Sequence, residues 1–287
     1  MMKRFIRRLP GILMLLPSIT GVILFMLYPF GKAVLYSFYR GLEDGRFVGL
    51  TNYFELFDNS MFHLAIENSL KFLLIALPLI MLVPLLLAIL FMNIPRFAAV
   101  FNKAVYTTML LSSAALMTFV DLLFAKNGLL SEETAALFGL DASQLYQSRF
   151  AFPLLVLMYL YKYGGYNYLL YCIGLARIPR EYYEEVQLDG ARWYHCLRYI
   201  TLPSLRPVMA VTLLLSWINS YKIYREAFLI GGYYPHDSIY MIQHFINNNF
   251  ANMNYNRLCC VSVLLLLTVA AVTTAVLVMV HLVGRRK

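Results

Sequence analysis

The ionisable side chains that a reaction or a binding event needs are gathered in one stretch of this chain, EEVQLDGARWYHCLRYITLP, from Glu184 to Pro203. It holds Glu184, Glu185, Asp189, Arg192, His195 and Arg198 around a lone Gly190. Acids and bases in this mixture offer ionic contacts to a docking partner. Catalytic constellations are missing from the sequence. The nearest approach to a P-loop is Gly31-Lys32, but Met26 stands where the first Gly belongs and Ala33 follows the Lys. Neither G-x-S-x-G nor H-E-x-x-H occurs. His236, Asp237 and Ser238 are triad residue types, yet adjacent residues rarely converge as a triad. Cys172, Cys196, Cys259 and Cys260 form no C-x-x-C pair and have no His at ligand spacing, and the adjacent Cys259 and Cys260 read as buried small apolar residues. No catalytic residue, metal site or bound cofactor is expected in this chain.

A second set of charges lies inside apolar runs: Asp121, Lys162, Lys222, Arg225 and Glu226, with Asn219 close by. Ionisable groups at such positions are either functional or paired for assembly. The pairing reading joins Arg225 or Lys222 to Glu226 or Asp121, or to a partner chain. Near a membrane surface, long cations also snorkel.

These positions must be held by membrane helices. The chain has 287 residues, 61% hydrophobic and 14% charged, well off the roughly 45–50% and 25% of a soluble domain. Several apolar runs exceed the ~20 residues a span needs, and the ~10-residue alternation of a transmembrane barrel is absent. Six spans are expected, near 11–36, 68–93, 98–124, 150–175, 207–230 and 258–283. The first is expected to be retained, since its apolar run is longer than that of a signal peptide and no small-residue cleavage site follows. Lys3, Arg4, Arg7 and Arg8, then Arg96 and Lys103, then Arg177, Arg180, Arg192, Arg198 and Arg206, then Arg285, Arg286 and Lys287 all fall on one side of a six-span chain. The positive-inside rule places that side, with both termini and the 176–206 loop, in the cytoplasm. The net charge of +9 is thereby explained by topology rather than by nucleic acid.

Within the loop, Pro179 suits a first helical position and Glu181, Glu184 and Glu185 favour a helix start. Gly190 stops this helix or turns the chain by taking a positive φ. A second helix is expected from about Ala191, with Trp193, Cys196, Leu197 and Ile200 as one apolar stripe. Pro203 is expected to end it and Pro207 to open the next span. A headgroup-bound amphipathic segment explains the Trp and the arginines, but a docking surface also explains the acids, the Gly and the Pro. Span four is aromatic, YLYKYGGYNYLLY, with Tyr161, Tyr163, Tyr166, Asn167, Tyr168 and Tyr171. Such faces with amide and hydroxyl donors suit sugar rings, and they equally suit ordinary packing beside Gly164 and Gly165. Lys222 and Arg225 raise the question of an anionic sugar such as a uronide.

Glu184-Glu185-Val186, Gly190 and Ile200-Thr201-Leu202-Pro203 resemble the EAA loop of ABC-importer permeases: E-A-A, three residues, G, nine residues, I-x-L-P. Here Glu185-Val186 replaces Ala-Ala. GLARIPREYYEEVQLDGA, FVGLTNYFELF, GGYNYLLYCIGL and LIGG resemble segments of the carbohydrate-uptake subfamily, so the likeness covers nearly the whole chain. The resemblance implies an all-α, polytopic membrane protein of the type I ABC importer permease fold. A single transmembrane domain would span 1–287, with the loop at 176–206 inside it. It implies a non-enzymatic permease subunit for sugars or oligosaccharides, forming half of the pathway. Coupling to a separate ATPase would run through Glu184, Glu185, Asp189, Gly190, Ala191, Ile200, Leu202 and Pro203. The candidate pathway residues are Tyr163, Tyr166, Asn167, Tyr171, Asn219, Lys222, Arg225 and Glu226. The implied partners are a second similar permease, two ATPase subunits that hold ATP and Mg, an external solute-binding protein, and the bilayer. The rival readings are an ABC permease for another solute, such as a glycerol-phosphate-type compound, and an ion-coupled secondary transporter built around midplane acids.

Overall fold

The computed structural model describes residues 14–41, 45–92, 94–110, 112–124, 129, 146–188 and 190–284. Among them, four helices are long and apolar enough to cross a membrane: α1 (Met14–Tyr36), α3 (Ser60–Met92), α8 (Trp193–Gly231) and the Tyr255–Val278 part of α10 (Tyr255–Gly284). Between α1 and α3 come a two-stranded antiparallel hairpin, β1 (Tyr39–Arg40) with β2 (Arg46–Phe47), and α2 (Thr51–Phe57). The remaining helices are α4 (Pro95–Leu110), α5 (Ser113–Phe124), α6 (Ala151–Ala176), α7 (Arg180–Leu188) and α9 (Ile242–Ala251). Helix α6 is 26 residues long, the expected fourth span, with its hydropathy diluted by tyrosines, glycines and Lys162.

Three expected boundaries are corrected. The third span is not continuous: it is α4 followed by α5. The break falls at a serine pair, where the Ser112 hydroxyl accepts from Ala115 N–H (3.2 Å) and caps a new helix inside an apolar run. Helix α3 begins at Ser60 rather than near 68, and its 33 residues make a rod of roughly 50 Å. Pro203 ends nothing, because α8 runs unbroken through it and through Pro207. Its helix widens to a π turn at Leu197–Thr201, where Leu202 N–H reaches back to the Leu197 carbonyl. A second π turn, Ile23–Leu27, stands in α1. Each π turn ends two residues before a proline, Pro203 and Pro29. A proline lacks the N–H and crowds the carbonyl one turn back, and a widened turn is one way to absorb that mismatch without ending the helix.

The chain groups into two compact units. The first takes in the described residues up to Phe62 and Ile246–Ala271. Its hub is Ser37, which is buried. The Ser37 carbonyl accepts from Asn52 Nδ2 (2.9 Å) and Cys260 Sγ (3.5 Å), while its hydroxyl accepts from Tyr53 (2.8 Å). Asn52 Nδ2 also reaches the Tyr39 carbonyl (2.9 Å), so one buried amide fixes the end of α1 and the start of the hairpin. Cys259 and Cys260 are free and buried, as their sequence reading has them.

The second unit takes in His63–Phe245 and Val272 onward. Helix α6 lies at its centre and is buried on several sides, so it shows no single apolar face. One core gathers Phe72, Ile80, Leu116, Leu155, Tyr159 and Ile223; a second gathers Leu85, Val105, Tyr168, Tyr171 and Leu205. Each buried tyrosine of α6 finds a partner on a neighbouring helix: Tyr159 donates to the Ser216 carbonyl (2.7 Å), Tyr168 to Asn102 Oδ1 (2.9 Å), and Tyr171 shares a bond with Thr212 Oγ1 (3.0 Å). Gly174 lets α6 and α8 touch. A Cβ there would stand 2.7 Å from Leu205 Cδ2 and 2.9 Å from Val208 Cγ2.

His244 of α9, between the spans of α8 and α10, is fully buried beside the rings of Tyr224 and Tyr240. Its Nδ1 accepts from Met241 N–H (3.2 Å), and Nε2 has no hydrogen-bond partner. Burial pushes its pKa down to about 4. The unfolded chain, with its His near 6.5, therefore binds the extra proton between pH 6.5 and 4. Stability from this group is full above about pH 6.5 and falls as pH drops toward 4, by on the order of 3 kcal/mol. Melting curves in detergent from pH 4 to 8 should show this slope in the wild type and a shallower one in His244→Phe; equal slopes would remove His244 from the acid response.

Candidate functional site

The charged loop is built as two helices about a glycine turn. Helix α7 follows Pro179 and has Glu181 in its first turn. It closes in a Schellman turn: Ala191 N–H bonds the Val186 carbonyl (3.2 Å) and Gly190 N–H bonds the Gln187 carbonyl (3.0 Å). Gly190 stands at φ +76, open to a Cβ in space but not in conformation. Asp189 lies outside the described residues. Arg192 is extended and precedes α8, and its N–H donates to His195 Nδ1 (3.3 Å). The Tyr183 hydroxyl meets Thr201 Oγ1 (3.0 Å), tying α7 to the π turn of α8.

Glu184 and Glu185 are exposed, and Ala191, Ile200, Leu202 and Pro203 are half-buried. The expected stripe is only partly covered: Cys196 is buried and Leu197 and Ile200 half-buried, but Trp193 is 76% exposed. Tyr182, Tyr194 and Tyr199 are exposed too, so acids and aromatic rings share this end of the molecule. Such a surface can take a protein partner through rings and ionic rims.

The charges of the membrane helices are arranged differently from the pairing read in sequence. Glu226 does not pair with Lys222, Arg225 or Asp121. Its carboxylate is fully buried and bound by Lys162 of α6, whose ammonium also donates to Ser113 Oγ (2.5 Å) at the start of α5. Asp121 instead accepts from the Tyr146 hydroxyl (2.8 Å). One ion pair thus joins α6 and α8 beside the break between α4 and α5. Glu226 Oε2 has no hydrogen-bond partner. Lys222 and Arg225 are exposed, and among the described residues neither forms a salt bridge. Lys222 lies nine residues before Gly231, about 14 Å down the helix. A cation at such depth is costly against lipid, about 2.5–3.5 kcal/mol at the centre of a span, so it belongs against protein or a wet path.

Of the aromatic candidates, Tyr166 is exposed and Tyr163 half-buried beside Lys162, whose ammonium lies 5.3 Å from its ring centre. Asn167 and Tyr171 are engaged in helix contacts instead. Asn167 Nδ2 donates to the Ile80 carbonyl (3.1 Å) and Ser216 Oγ (2.8 Å), locking α6 to α3 and α8. An apolar groove of about 420 Å³ lies between α3, α4 and α6, lined by Pro84, Phe101, Tyr161, Gly164 and Tyr168 among others. A more polar one of about 410 Å³ in the first unit is lined by Asn52, Glu55, Asn254 and Arg257 among others. None of the eight candidate pathway residues lines either. The partners Ser113, Thr212 and Ser216 went unforeseen. The only sequence signal for any of them was the Ser112-Ser113 pair.

Long apolar helices held together by inter-helix polar bonds, with one charged turn between them, define a polytopic membrane protein. The chain belongs to the family of binding-protein-dependent transport system inner membrane components, whose model matches residues 2–287. It is 30% identical over 219 residues to the arabinooligosaccharides transport system permease protein AraP of Bacillus subtilis, covering 75% of this chain and 69% of that one. It is 26% identical to the lactose transport system permease protein LacF of Rhizobium radiobacter (76% and 74% covered). With the sulfoquinovosyl glycerol permease SmoG of Agrobacterium fabrum it shares 28% (86% and 83%). Its fold is that of a bacterial ABC transporter involved in the import of the acidic polysaccharide alginate, at TM-score 0.76 and 20% identity over 99% of this chain and 96% of that one.

Proposed function

We propose that this chain is the permease subunit of an ATP-driven, binding-protein-dependent importer of sugars or oligosaccharides. It forms half of the translocation route, catalyses no reaction itself, and has both termini and the 176–206 loop in the cytoplasm. A second similar permease, two ATPase subunits carrying ATP and Mg, and an external solute-binding protein complete the machine. The observation that carries this reading is the Gly190 turn. It presents Glu184, Glu185 and exposed aromatic rings at the end of a helix, α8, that continues without interruption into the membrane. Movement of a docked ATPase at Gly190 would pass along α8, through its π turn and a 3-10 turn at Tyr221–Ile223, to Asn219, Lys222 and Arg225. The sugar assignment is supported by relatives named for arabinooligosaccharide and lactose transport. Family membership weighs against the ion-coupled alternative.

Purification of the tagged chain from detergent-solubilised native membranes tests the reading. A P-loop ATPase and a second permease of the same family should co-purify, identified by mass spectrometry. A chain recovered alone, from membranes whose sugar uptake persists without ATP, would contradict it.

A further inference from the structure

The charge account of the membrane helices leaves a remainder. Lys162 is cancelled by Glu226, and the pair is closed by Ser113. This frees the two other cations from the role of neutralising Glu226. Asn219, Lys222 and Arg225 recur every three residues along α8, so successive members lie close to one face, with the first half-buried and the other two exposed. Lys162 binds Glu226, the residue next to Arg225, and its ammonium lies 5.3 Å from the Tyr163 ring centre, so this pair brings the Arg225 turn of α8 toward the aromatic candidate of α6. An aromatic ring in the neighbourhood of a guanidinium that forms no salt bridge among the described residues, with an ammonium and an amide further along, matches a sugar ring that carries a carboxylate.

Resting on the importer reading above, we propose that the transported substrate is an acidic sugar, a uronate in its simplest form. Arg225 and Lys222 take the carboxylate, Tyr163 takes the ring, and the Lys162–Glu226 pair is a fixed, electrically neutral wall. Arg225 and Lys222 are specificity-determining residues in this reading, and Lys162 is a positioning residue.

The test uses cells expressing the complete transporter and three labelled probes: trigalacturonate, its methyl ester, and neutral maltotriose. The readout is the ratio of trigalacturonate to methyl-ester uptake, which cancels changes in the amount of protein. Wild type should favour the acid. Arg225→Gln should lower the ratio about tenfold, the loss of one charge-assisted contact, and Arg225→Lys should restore most of it. Should Arg225→Gln not reach the membrane, Lys222→Gln is read in the same way. Uptake of maltotriose or the ester in preference to the acid overturns the inference and leaves the importer reading standing. An unchanged ratio in both glutamine variants overturns it too. Absence of uptake of all three probes counts against the sugar reading itself and removes the inference with it.

Discussion

Replacing Lys162 by Met should strip the protein from the membrane fraction almost completely. The substitution leaves the Glu226 carboxylate fully buried, with neither oxygen bound by Lys162. Removing one partner of a buried pair costs about 3–5 kcal/mol, a large fraction of the stability of any domain. The change also releases Ser113, the first residue of α5, at the point where the third span is broken. Lys162→Met/Glu226→Gln removes the charge as well as its partner and should recover much of the lost protein, because well-matched neutral groups substitute for a buried pair at little cost. Detergent-extracted yield and melting temperature, compared across both variants, decide this. Equal yields of the single variant and the wild type would mean that the pair is dispensable.

The second large effect is expected at Gly174. Helices α6 and α8 meet there so closely that even a Cβ stands under 3.0 Å from two side chains of α8. Leu205 can swing its methyl away, but Val208 is branched at Cβ and has little freedom in a helix. Gly174→Ala should therefore cost roughly 1 kcal/mol, whereas Gly174→Leu must part the helices at overpacking costs of about 1–3 kcal/mol or more. Parting them also strains Tyr171–Thr212 and Tyr159–Ser216, which bridge the same pair. The ordering Gly, Ala, Leu in melting temperature is the check, and a Leu variant that melts with the Ala variant would contradict the close approach.

The parts of this molecule that follow from local chemistry were readable in the sequence. The Gly190 turn is one: a glycine after an acidic helix start, with a second helix pattern behind it, admits few other conformations, and the Schellman bonds take the form that glycine allows. The apolar runs gave the spans because length and hydropathy are local properties. Serine in an apolar run is ambiguous, so the break at Ser112 was missed; whether it caps a helix or bonds back within one depends on neighbours far away in sequence. Pro203 misled for a related reason, since it follows a π turn that sequence periodicity does not announce. The pairing of Glu226 with Lys162, 64 residues away, rather than with its sequence neighbours Lys222 and Arg225, is set by how α6 and α8 rotate against each other. That rotation is fixed by Gly174, Asn167 and Tyr171, whose contacts are inter-helix and invisible to a one-dimensional pattern.

The measurement that bears most directly on the coupling loop is ATP hydrolysis by the purified complex, with and without sugar-loaded binding protein, for wild type, Gly190→Ala and Gly190→Pro. A proline cannot adopt φ +76 and has no N–H for the Gln187 carbonyl, so the α7 turn cannot close. An alanine can close it at a strain of roughly 1–2 kcal/mol. Binding-protein stimulation should be strong in wild type, reduced in Gly190→Ala, and lost in Gly190→Pro together with co-purifying ATPase, while the two permeases stay associated. Full stimulation of a Gly190→Pro complex that retains its ATPase would show that coupling does not pass through this loop.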